Sequence, residues 1–242
     1  MRVTVLGSSG TFAGPDGACT GFLVQAGGVN VLLDCGPGVV PNLQRHLPLH
    51  QLDAVVLTHC HPDHWLDFPV LRNALRYVLL VQGVAAYGTA ETYDKAMAVL
   101  DKEIEPTFAW QTTDADSLLT IGGQQWRFAL TDHPVETLAP RVDADGRSFA
   151  FSADTGPGFD ASALGPDLDL FVCEASLPND HEGLAPHVSG RQAAQLAKAS
   201  GTDRLVLTHV VPGCDADRHQ AEAEAEYGAA VEMATIGSVF DV

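Results

Sequence analysis

The run "AVVLTHCHPDHWLD", residues 54–67, constrains this chain more than any other stretch. A short apolar segment of strand type ends in His59, His61, Asp63 and His64, four metal-ligand side chains within six positions. "HPD" alone is ordinary turn chemistry, but a turn does not need that density of ligand atoms. The same plan recurs. "RFALTDH" ends at His133, "SFAFSAD" at Asp154 and "RLVLTH" at His209, each an apolar strand, then Thr or Ser, then a metal-ligand residue. Four strand tips are therefore expected to converge on one place, because a strand holds its tip rigidly and α/β proteins carry their chemistry on the loops beyond.

Bulk properties narrow the partners. No Pro/Gly/Ser-rich linker or charge block divides the 242 residues, so a single domain over residues 1–242 with a substantial core is expected. Acidic side chains number 31 against 13 basic ones, and the resulting charge of −18 disfavours extended RNA or DNA. A small anion is a different case, since a divalent metal pair at the bottom of a cleft dominates the local potential. No stretch approaches the ~18 apolar residues of a membrane span, and the N-terminal apolar run is too short for a secretory signal. A cytoplasmic protein without a membrane partner is expected; a homodimer is left open. Cys19, Cys35, Cys60, Cys173 and Cys214 include no C-x-x-C pair and read as reduced, mostly buried residues.

Strand-length apolar runs fall at 2–6, 21–25, 29–33, 54–57, 84–87, 126–130, 148–151, 168–172 and 204–207, and helical patterns near 67–80, 90–103 and 189–200. Ser189 is the expected N-cap of the last helix and Gly201 its stop. "AGG" at 26–28 and "IGG" at 121–123 suit hairpins, which implies an α/β fold with mixed sheets. The acidic run at 215–227 reads as a solvated helix face.

Five histidines and two aspartates suffice for two divalent ions with one shared carboxylate. His59 and His61 are assigned to one ion and Asp63 and His64 to the other, because adjacent loop residues point in different directions. His133 completes the first set, His209 the second, and Asp154 bridges. These donors suit zinc and also accept manganese or iron.

"HCHPDH" resembles the H-x-H-x-D-H signature of the metallo-β-lactamase superfamily, whose fold is an αββα sandwich. The family's third histidine, bridging aspartate and last histidine match His133, Asp154 and His209 in order, so the resemblance covers nearly the whole chain. The opening "VTVLGSSGTFAGPDGACTGFLV" followed by "VLLDCGPG" is similar to the family's first hairpin. "VCEAS" and "APHVSGRQAAQLAKASGTDRLVLTH" further resemble the branch that holds ribonuclease Z and class II-like cyclic nucleotide phosphodiesterases. That branch implies a catalytic role in phosphate cleavage for His187, 22 positions before His209, with Glu174 orienting it. Asp63 is expected to align the attacking hydroxide and His187 to protonate the leaving oxygen.

The chain departs from the tRNA-processing members in one respect. These insert a long arm between the third histidine and the bridging aspartate, whereas His133 and Asp154 are only 21 positions apart. Together with the acidic surface, the short interval shifts the expected substrate to a small phosphodiester such as a 3′,5′-cyclic nucleotide. An acyl-bond hydrolase (lactonase or thioesterase) shares the same ligands and is the alternative. A catalytically silent metal-binding or nucleotide-sensing module is the third reading.

Overall fold

The computed structural model describes residues 1–100 and 103–242. Its first sheet is built from β1 (Arg2–Gly7), β2 (Gly21–Ala26), β3 (Val29–Leu33), β4 (Ala54–Val56), β5 (Val84–Gly88) and β6 (Phe108–Thr112). The second comprises β7 (Leu118–Ile121), β8 (Gln124–Leu130), β9 (Leu138–Ala144), β10 (Arg147–Phe151), β11 (Leu170–Glu174), β12 (Leu205–Thr208) and β13 (Glu232–Met233), after which β14 (Val239–Asp241) returns to pair with β1. Strand order is β14-β1-β2-β3-β4-β5-β6 in one sheet and β13-β12-β11-β10-β9-β8-β7 in the other. Each sheet is antiparallel over its hairpins and parallel beyond, as at β3–β4 and β10–β11, so both are mixed as the sequence implies.

The sheets face each other across an apolar layer that includes Val24, Trp126, Phe149 and Val172, with the Phe22 and Phe151 rings 5.1 Å apart. The two glycine turns meet at one end of this layer. Gly123 donates its backbone N–H to Gly27 O at 3.0 Å, and a Cβ on Gly27, whose φ is 57°, would fall 2.5 Å from Gly123 Cα. Only glycine permits that backbone and that approach.

Helices cover both outer faces. α1 (Val39–Leu43), α2 (Pro62–Trp65), α3 (Phe68–Asn73) and α4 (Ala90–Val99) lie on the first sheet, where Leu43, Phe68, Leu71 and Ala96 pack with Leu23, Leu32 and Val55. On the second, α5 (Gly190–Ala199) and α6 (Ala216–Tyr227) apply Ala193, Ala194, Ala197 and Ala223 to Phe171, Cys173 and Leu207. Small alanines let α5 and α6 lie close together and on the sheet. This is the αββα sandwich. Ser189 caps α5 through a reciprocal box with Gln192, and Gly201 follows its end at φ 62°.

Several expectations need correction. The helix at 67–80 is α3 followed by a π-helical turn, Ala74–Leu79. The helix at 90–103 ends at Val99, and residues 101–102 lie outside the described residues. Strands β6, β7, β9, β13 and β14 had no expected counterpart. β9 contains Pro140 and Arg141, which break the apolar pattern, yet Pro140 lies just past the last residue in register with β10. The acidic helix α6 is not wholly solvated, since His219 and Ala223 on it are buried. None of the cysteines is paired, and all but Cys214 are buried. No helix among the described residues is long and apolar enough to cross a membrane.

Candidate metal centre

All four strand tips deliver their ligand-type residues to one cleft. His59 stands three residues past the end of β4, and the chain then turns into α2, whose first turn presents Asp63 and His64 while His61 stands at its N-cap. His133 extends from β8, Asp154 from β10 and His209 from β12. Close approach of the backbone needs glycine at two neighbouring positions. A Cβ on Gly36 would lie 2.0 Å from Asp63 O, and one on Gly10 would lie 2.4 Å from His209 O. Ala153 and His209 hold left-handed φ values of 50° and 62°, strain of the kind concentrated at functional sites.

The side chains fall into two groups. Ligand atoms of His59, His61, His133 and Asp154 lie within 4.8 Å of one another, and so do those of Asp63, His64, Asp154 and His209. Asp154 belongs to both sets. Its Oδ1 is 3.1 Å from His64 Nε2 and 3.3 Å from His209 Nε2, while its Oδ2 is 3.6 Å from His59 Nε2 and 3.9 Å from His133 Nε2. Asp63 Oδ2 is 3.2 Å from His209 Nε2, and His61 Nδ1 is 3.1 Å from His133 Nε2.

Most of these histidines are anchored through the nitrogen turned away from the cluster. His64 Nδ1 is 2.7 Å from Asp34 Oδ2, His59 Nδ1 3.0 Å from Thr58 Oγ1, His209 Nδ1 2.8 Å from Ser176 Oγ and His133 Nδ1 3.2 Å from Pro186 O. Each contact fixes a ring and leaves Nε2 for the cleft. The sequence reading gave Asp34, Thr58 and Ser176 no role of their own. For Asp34 a signal existed, because "VLL" followed by Asp repeats the pattern of strand and then ligand type that marked the other four tips.

Electrostatics distinguish the two sets. Burial holds His59, His61 and His133 below the ordinary histidine pKa, most strongly His59, which favours the neutral form that ligates a metal. Burial also opposes charge on His64 and His209, but Asp154, helped by Asp34 and Asp63, outweighs it and raises both. In turn, burial works to raise Asp154 and Asp63, and the neighbouring histidines prevail and hold both low. The second set is thus a carboxylate pair that demands positive charge, which a divalent cation meets directly. His59 Nε2 and Asp154 Oδ1 are buried without a hydrogen-bond partner among the described residues, although both face other ligand atoms. Orphaned atoms of this kind cost about 1–3 kcal/mol each unless something binds them. The donor chemistry and the orphans fit two metal ions.

His187 and Glu174 join the same site. His187 Nδ1 lies 2.9 Å from Glu174 Oε1, and its ring is 5.6 Å from that of His209 and 5.4 Å from that of His133. Glu174 is fully buried; it also accepts from Thr155 N at 2.7 Å and from Ser176 Oγ at 2.7 Å. Burial lowers the His187 pKa, but the hydrogen bond and charge of Glu174 outweigh it and bring it to about 9. Thr11, His61, Pro62, Asp63, Asp154, His187 and His209 line an open pocket of about 330 Å³ over the cluster.

Residues 29–210 match the beta-lactamase superfamily domain, and with this fold and these His/Asp clusters the chain belongs to the metallo-β-lactamase superfamily of metal-dependent hydrolases. It is 30% identical to the probable metallo-hydrolase YhfI of Bacillus subtilis (strain 168) over 100% of both chains. The crystal structure of YhfI matches at a TM-score of 0.92, with 28% identity and 99% of each chain covered. Ribonuclease Z of Mycobacterium marinum (strain ATCC BAA-535 / M) is 30% identical over 96% of this chain and 95% of its own. A diphosphatase of the PhnP family shares the fold at a TM-score of 0.79 and 20% identity, with 100% of this chain and 97% of that one covered.

Proposed function

We propose that this metallo-hydrolase is a phosphodiesterase of small phosphodiesters, with 3′,5′-cyclic nucleotides as the type substrate. The observation that carries the reading is the Glu174–His187 pair at the rim of the ligand cluster. With Nδ1 engaged by Glu174, His187 has Nε2 left for a substrate oxygen, and an imidazolium there can protonate a poor alkoxide leaving group. The relationship to ribonuclease Z supports the same bond class.

Two divalent ions, zinc first with manganese or iron as alternatives, supply Lewis acidity to the phosphate oxygens and lower the pKa of the attacking water when bound. His59, His61 and His133 would hold one, Asp63, His64 and His209 the other, with Asp154 shared. Asp63, fixed by the Thr11 N–H at 2.8 Å, orients the water through its carboxylate. His187 delivers the proton to the departing oxygen, and Glu174 keeps its ring in place.

Substrate size follows from two features. Strands β9 and β10 take up most of the interval between His133 and Asp154, which leaves no arm for tRNA. The charge of −18 opposes a long polyanion. The test is to incubate the metal-loaded protein, at equal concentration, with cyclic AMP, a precursor tRNA and a lactone panel. Cyclic nucleotide turnover with little tRNA cleavage is expected. Efficient tRNA cleavage alone would overturn the substrate reading, and lactone hydrolysis alone would replace it with the acyl-hydrolase reading.

A further inference from the structure

A phosphodiester has two parts to be held. Metal ions and His187 account for the phosphate, but none of the pocket-lining residues is a Lys or Arg, so the organic group meets no further basic side chain of that kind on the wall. The loop between β1 and β2 offers a different contact. Phe12 directly follows the pocket-lining Thr11, is 52% exposed and belongs to none of the apolar clusters of the core.

Single exposed aromatic residues are common and need no function. This one is held in place. Thr11 N donates to Asp63 Oδ2 at 2.8 Å, Gly10 N to Val210 O at 3.2 Å, and Phe12 N to Gly10 O at 2.7 Å. On the other side Gly14 packs on Pro212, where a Cβ would come to 3.2 Å. Thr11 itself adopts a φ of 63°, a conformation that a β-branched residue rarely takes. The loop is therefore bent against local preference and tied to a ligand-type carboxylate immediately before a ring that no core uses.

We infer that Phe12 is the platform on which the planar organic group of the substrate packs, a nucleobase or a comparable aromatic ring, and that it determines specificity at this site. The inference rests on the phosphodiesterase reading for the reaction and on the loop for the position. Stacking on a phenyl ring tolerates any base, because every base offers a π-face. Selection is then for the presence of a ring and against substrates whose second feature is another anionic group.

Binding separates the two claims. Metal-loaded wild type, Phe12→Ala and Phe12→Trp are titrated calorimetrically with AMP and with inorganic phosphate, and the kinetics of cyclic AMP hydrolysis are measured alongside. Phe12→Ala should weaken AMP on the order of 10-fold and leave inorganic phosphate unchanged, the scale of one lost base stack. KM for cyclic AMP should rise by a similar factor, more than kcat falls, and Phe12→Trp should restore AMP binding. Unchanged AMP affinity in Phe12→Ala, equal losses for AMP and phosphate, or no AMP binding by the wild type would each overturn the inference. AMP binding that depends on Phe12, without cyclic AMP turnover by the wild type, would sink the phosphodiesterase reading and leave the platform standing.

Discussion

Asp34→Asn is the sharpest probe of how this site is built, because it preserves shape and removes only symmetry and charge. Asp34 Oδ1 accepts from Thr58 N at 2.8 Å, while Oδ2 accepts from Thr58 Oγ1 at 2.9 Å and faces His64 Nδ1 at 2.7 Å. An asparagine cannot serve both sides. With its oxygen toward His64, its NH₂ points at the Thr58 N–H, two donors face to face in a fully buried place. With its NH₂ toward His64, Nδ1 must become an acceptor, and the proton moves to the Nε2 that is needed as a ligand. Either arrangement leaves an unmet buried group at about 1–3 kcal/mol. Passed on to the ligand, that corresponds to roughly 10- to 100-fold weaker metal binding, the usual scale for an outer partner of a ligating histidine. Competition with a graded chelator, read by elemental analysis, should show Asp34→Asn losing the ion held by Asp63, His64 and His209 first, with the ion of His59, His61 and His133 retained longer. Wild-type affinity at both positions would refute the reasoning.

Asp154→Ala should bind at most one metal equivalent where the wild type binds two, since Asp154 is common to both clusters; two tightly held ions in the variant would remove the bridging assignment. His187→Ala should keep both ions and lose roughly 10²- to 10⁴-fold in kcat on cyclic nucleotides, the range for a missing general acid. The loss should be much smaller on bis-p-nitrophenyl phosphate, whose leaving group hardly needs a proton. Equal losses on the two substrates would reassign His187 to phosphate binding.

The centre was more legible in the sequence than the strands around it, and the reason is physical. A metal-ligand residue at a strand tip breaks a hydrophobic run abruptly, so His59, His133, Asp154 and His209 each announce both an element and its end. Edge and hairpin strands carry no such mark. β6 is mostly exposed, β7 alternates buried and exposed residues over only four positions, and β9 includes Pro140 and Arg141, so none of the three shows the continuous apolar run of a buried strand. Asp34 escaped because its partner, His64, is 30 residues away. Ser176 escaped for a similar reason. A serine two residues past Glu174 is unremarkable until the fold sets its hydroxyl between Glu174 and His209.

That serine shows how the ligand cluster and the substrate side of the site are joined. The first sheet supplies His59 and the turn with His61, Asp63 and His64; the second supplies His133, Asp154, His209 and Glu174. Neither sheet alone holds a complete ligand set, since each cluster draws at least one residue from both. Glu174 then ties the set to the substrate side, with Oε1 facing His187 and Oε2 accepting from Ser176, whose oxygen also faces His209. A single buried carboxylate thus orients the proposed acid and, through one hydroxyl, a candidate ligand of the second ion. Displacement of one sheet against the other would disturb both ligand sets at once, and the tight glycine approaches at Gly10 and Gly36 leave little room for such movement. The rigidity of the αββα layers is therefore part of the chemistry. It keeps carboxylates and imidazoles at separations their charges alone would not maintain, ready for the cations that make those separations favourable.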